Sequence, residues 1–151
     1  MATDRRELIL ARLLQVLAGI DEIRTCVRNK GPISDDASAL PAIQLFDADE
    51  EVDDNDPPRM PVDAPRRVHL MPQIWITAMT VPESVGTDIN ALRVKVLHAV
   101  LNDATLLSYL TDDRVRYLAC QTDLAQGRQM QALMILSFRF TYMLKVNELA
   151  P

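Results

Sequence analysis

The sequence predicts an α+β fold: a mixed, mainly antiparallel five-stranded sheet with two main helices on one face. The order is helix, three strands, helix with a short helical turn, then two strands. Three observations point there. Apolar residues recur at helical spacing in two separate segments, and a long C-terminal segment alternates strictly with a period of two. The 151 residues, 48% hydrophobic and 25% charged, suit a single domain over residues 1–151 that folds without disulfide or metal.

Arg5 to Ile20 reads as the first helix, capped by Thr3 or Asp4, with Leu10, Leu13, Leu14, Leu17 and Ile20 as its apolar stripe. Ile23, Thr25 and Val27 alternate with charged residues and suggest a short strand, turned by Asn29-Lys-Gly-Pro32. Pro41 to Phe46 reads as the second strand. It runs into Asp47-Ala-Asp-Glu-Glu-Val-Asp-Asp-Asn-Asp56, then four prolines at 57, 58, 61 and 65. So much charge and proline predicts a mobile acidic loop over about 47–65.

Val68 to Thr80 is the third strand. Val68, Leu70, Ile74 and Ile76 point one way, and His69, Met71, Gln73, Trp75 and Met79 the other. Pro72 lacks a ladder donor, which predicts an edge position or a bulge. Thr87 or Asp88 caps a second helix to about Leu101, with Ile89, Leu92, Val96 and Val100 as its stripe. Asp103 caps the short turn Ala104 to Leu110. Arg114 to Thr122 and Met130 to Val146 form a final hairpin, turned at Gly127.

The last strand, at ~3.3 Å per residue, extends ~50 Å, longer than the ~40 Å diameter of a compact domain this size. It must bend or project. It is also apolar on parts of both faces: Leu133, Ile135 and Met143 oppose the main stripe, as Met71, Trp75 and Met79 do on the third strand. Two helices cover about one face of such a sheet. The other is left greasy, and exposed apolar patches of that size mark interaction surfaces. Trp75, Met79, Leu133, Ile135, Arg139 and Met143 are therefore candidate subunit or partner contacts. A sheet coiled tightly enough to bury both faces is the alternative.

The charge is uneven. Residues 1–30 carry six basic and four acidic side chains, 31–58 nine acidic and none basic, and 59–151 ten basic and eight acidic. No concentrated basic patch with interleaved aromatics is present, which excludes a sequence reader of nucleic acid. Asp47, Asp49, Glu50, Glu51, Asp53, Asp54 and Asp56 form the acidic segment. A calcium loop beginning at Asp47 would need Gly at its sixth place and Glu at its twelfth, where Val52 and Pro58 stand. The strand followed by Asp47-Ala-Asp49 looks like the opening of haloacid-dehalogenase-type phosphotransferases, with Asp47 as nucleophile and Asp49 as general acid. Glu50 occupies that family's Thr/Val place, and a solvated acidic loop is the plainer reading. Divalent-ion binding there stays open.

His69 and His98 have no second ligand at zinc spacing, and no GxSxG, Walker or GxGxxG run occurs. No cofactor and no enzymatic activity are expected. Cys26 and Cys120, without a CxxC, read as reduced thiols. The first apolar stretch is cut by Arg12, and the longest apolar run is Ala132–Leu136. A soluble intracellular chain with no membrane partner is the expectation.

Element order and several short runs carry a resemblance. The amphipathic N-terminal helix leads to a strand ending Val27-Arg-Asn-Lys30. Leu40-Pro-Ala-Ile43 then runs into Asp-x-Asp-Glu, and the second helix is followed by Leu101-Asn-Asp-Ala-Thr-Leu-Leu107. Over nearly its whole length the chain is similar to the tail terminator (tail completion) proteins of long-tailed bacteriophages and prophages. The acidic segment is not diagnostic of that family.

The resemblance implies a non-enzymatic ring, typically a hexamer, in the virion tail or neck and assembled in the host cytoplasm. Its partners would be the tail-tube protein and the head or neck proteins, and DNA would pass through without sequence-specific binding. The acidic segment would meet a neighbour, the tube or the lumen, where negative charge keeps DNA phosphates from sticking. Another head-completion or neck protein, an Asp47/Asp49 phosphotransferase and a small ligand-binding regulatory domain are the alternatives.

Overall fold

A computed structural model gives the architecture for residues 4–31, 37–55, 61, 64–125 and 130–149. Helix α1 (Arg5–Ala18) is followed by β1 (Thr25–Arg28), β2 (Ala42–Val52) and β3 (Arg66–Thr80). Helix α2 (Val85–Asn102), the short α3 (Ala104–Ser108), β4 (Val115–Ala125) and β5 (Met130–Leu144) complete the chain. The strands form one sheet in the order β1-β2-β3-β5-β4. β1 runs parallel to β2, and every other pairing is antiparallel. The α+β class, the mixed sheet and the element order expected from the sequence are all present.

Period-two alternation builds the main layer. Along β5, Ala132, Met134, Leu136, Phe138, Phe140 and Tyr142 are buried, and through register they lie beside Ile74 and Ile76 of β3 and Ile43 and Leu45 of β2. Ile9, Leu10, Leu13 and Leu17 of α1 and Val85, Ile89, Leu92, Val96 and Val100 of α2 join the same core cluster, so both helices cover this one face. Each large side chain so buried contributes ~1.5–3 kcal/mol. Asp4 caps α1 by accepting from the Arg6 amide at 3.0 Å. Helix α2 begins at Val85, earlier than Thr87 or Asp88; Asp88 instead accepts from the Thr80 hydroxyl at 3.0 Å.

Two sequence expectations need correction. The acidic segment does not open a loop at 47, because β2 continues through Val52. Pro72 does not mark an edge: β3 lies between β2 and β5. Nor does β3 itself carry a bulge, since its register with β5 is the same on both sides of Pro72; the extra residues lie in β2 and β4. Pairing of β3 with β5 stops at Leu70–Phe140 and resumes at Gln73–Ser137, while β2 shifts register between Phe46 and Asp49, and β4 between Tyr117 and Ala119. These irregularities line up across four strands. Bulges raise local twist, and those of β2 and β4 flank the unshifted β3–β5 pair at the level of Pro72. The long last strand is paired along its length, β3 matching it from Arg66–Leu144 to Thr80–Met130. Gly127 and the hairpin turn fall outside the described residues, as do Thr3 and Asp56.

Candidate functional site

The face of the sheet opposite the helices gathers the residues singled out from the sequence. Trp75 and Met79 of β3 and Leu133, Ile135, Arg139 and Met143 of β5 all belong to it by register, and each is half-buried. No helix among the described residues packs over them. The strands shield one another: Trp75 leans on Phe46 of β2, with ring centroids 4.9 Å apart, and donates its indole N–H to Gln73 at 3.1 Å. Gln44, on the same face, is buried because its amide donates to the Lys30 and Gly31 carbonyls at 3.0 and 2.7 Å. The chain after β1 therefore crosses that corner. The face divides into an apolar half around Phe46, Trp75, Leu133 and Ile135, and a polar half beyond the line of bulges.

The polar half is a cleft of about 750 Å³. Arg114, Arg116 and Arg139 stand on one side, Glu51, Asp53 and Asp54 on the other, with His69 and Thr141 between them. His69 bridges two elements. Its Nδ1 lies 2.8 Å from the Thr141 hydroxyl, and its Nε2 lies 3.1 Å from Asp53. Asp53 is held below the usual carboxylate range, first by the Asn55 amide and then by Asn55 and His69 side chains. A hydroxyl, an imidazole and a carboxylate in a row are the parts of an acyl-transfer site. A nucleophile must reach its substrate, however, and Thr141 is only 4% exposed. The row instead latches the 53–55 turn onto the sheet, where the Asp53 amide also donates to the Arg67 carbonyl at 2.9 Å. The sequence left His69 alone because its partners lie 16 and 72 positions away; only strand register joins them.

The bulge sorts the carboxylates of β2. Ala48 takes a left-handed backbone (φ 54°), so Asp47 and Glu50 turn to the helix side and Asp49 and Glu51 to the open side. On the helix side cations wait. Arg28 donates to both Asp47 oxygens at 2.7 and 2.8 Å and to both Glu7 oxygens at 2.8 and 3.0 Å. These bonds hold both carboxyls below their ordinary range. Glu50 accepts from the Tyr142 hydroxyl in a short hydrogen bond and faces Arg6 at 3.7 Å. Burial first, and Glu50 second, push the Tyr142 hydroxyl far upward. Asp49, Glu51 and Asp54 are exposed, with no hydrogen bond or ion pair among the described residues.

With both its oxygens engaged by Arg28, Asp47 is poorly placed to act as a nucleophile. Among the described residues no three His, Cys, Asp or Glu side chains converge as metal ligands. None of their helices is long and apolar enough to cross a membrane. Cys26 is half-buried and Cys120 exposed, both as free thiols.

Fold and surface together define a small α+β domain with one helix-covered sheet face and one open face, half apolar and half charged. No protein-family model matches the chain, and no significant match was found among curated proteins.

Proposed function

We propose that the protein is a ring-forming tail terminator: it caps the tail tube, stops tube polymerisation and forms the surface that joins head to tail. The observation that supports this most is the open sheet face, where Phe46, Trp75, Met79, Leu133 and Ile135 sit together without a covering helix. Apolar side chains arranged in this way favour cover by another protein surface. The neighbouring copy and the tube end are that cover. Head-to-tail contacts close into a ring when the rotation per copy permits, and six copies is the size the family resemblance implies.

Two measurements test the reading. Light scattering with negative-stain images should give a closed ring several times the mass of one 17.0 kDa chain. Added to polymerising tail-tube protein, the ring should halt elongation. A chain that stays single at high concentration, or tubes that lengthen unimpeded, would refute it. A head-completion protein would form its particle yet leave elongation untouched.

A further inference from the structure

Arg116 and Arg139 are register partners, directly opposite one another on β4 and β5 of the open face. Neither has a hydrogen bond or ion pair among the described residues. Like charges so placed repel across the ~5 Å between facing side chains. Arg114, two positions before Arg116, adds a third cation, tied only loosely to Asp112 at 3.8 Å. The outer edge of β4 pairs with no strand, as β4 ends the sheet.

The opposite edge of the same sheet has the reverse character. β1 covers β2 only from Ala42 to Leu45, and Arg6 reaches the Ala48 carbonyl at 3.1 Å. Among the described residues, Asp49 to Val52 is therefore left as a second edge with no paired strand. Its open-face side chains are Asp49 and Glu51, exposed and unpartnered, and spaced two apart like Arg114 and Arg116.

We infer that the basic β4 edge of one copy docks against the acidic β2 edge of the next, placing Asp49 and Glu51 beside Arg116, with Arg139 one strand behind it to add to the positive charge. The occupant is a second copy of this chain, because both halves of the charge match lie on one face of one sheet, at its two ends. The open faces of successive copies then run on into one another, which carries the apolar half around the particle as a band. This contact rests on the ring reading and specifies its surface. Charge on edge strands also serves to prevent pairing, and the two roles give opposite results on charge reversal.

Two variants test it by sedimentation, with melting curves checking that each folds: Arg116→Glu with Arg139→Glu, and Asp49→Lys with Glu51→Lys. Each alone should lose assembly and sediment as single copies. Mixed in equal amounts they should reassemble, since only unlike variants now match, and closed rings should form only for an even number of copies. A single chain carrying all four substitutions should assemble as the unchanged protein does. Raising salt should weaken every one of these particles. Variants that assemble unaided, or a mixture that stays dissociated, would overturn the edge contact while leaving the ring in place. An unchanged chain that never assembles would remove the ring and this contact together.

Discussion

Arg28 is the residue that fixes the middle of β2, at its bulge. It holds Glu7 of α1 and Asp47 of the bulge at once, tying helix, β1 and β2 at one point. Because both carboxyls sit lower in the folded chain than in the unfolded one, their contribution is complete above the ordinary carboxylate range and lost as pH falls through it. Denaturation midpoints taken from about pH 6 down to about pH 2 should fall steeply, and less steeply in Arg28→Met. Asp103 does two jobs as well: it caps α3 through the Leu106 amide at 2.7 Å and binds Arg12 at 2.7 and 3.0 Å. Asp103→Ala should cost about 1–2 kcal/mol in a thermal melt, and Asp103→Asn less, since Asn still caps. The cap was legible in the sequence. Its partner Arg12, 91 positions away, was not, because nothing local links them.

At the scale of elements, β5 was the most legible part of the chain, since alternation over fifteen residues has no helical counterpart. Its two faces should differ in energy. Phe140→Ala, emptying a fully buried site, should destabilise by about 3–5 kcal/mol. Ile135→Ala on the open face should cost about half as much, its side chain being only half-buried. Equal losses in urea titrations would mean that the open face is as sealed as the core. β2 was the least legible element. A run of seven carboxylates in ten positions reads as a loop. The strand persists because Arg28, Arg6 and Tyr142 neutralise or hydrogen-bond its inward acids and the bulge sends the others to solvent. Pro72 sits at the same line of irregular pairing, where its missing amide leaves no ladder bond broken.

For the whole molecule, the proposed assembly makes the open face the working surface and the helices its support. Leu133→Lys should lower the melting point about as modestly as Ile135→Ala while lowering the assembled fraction in sedimentation at least tenfold, the effect of ~1.4 kcal/mol per contact. Unchanged mass would remove the apolar half of the face from the contact. Trp75 offers a reporter for the same event. Its emission should shift to shorter wavelength as copies assemble and the half-buried indole loses water.

The sequence by itself determined the class of fold, the order of elements, the core faces of β3 and β5 and most of the stripe of each of the two main helices. Those features follow from period and composition, which are local. Tertiary structure alone decided that Pro72 lies mid-sheet, that His69 meets Thr141 and Asp53, and that Arg116 faces Arg139. It also decided which carboxylates of β2 are paired. Each of those depends on strand order and register between distant segments, and a one-residue bulge reverses which side a charge faces.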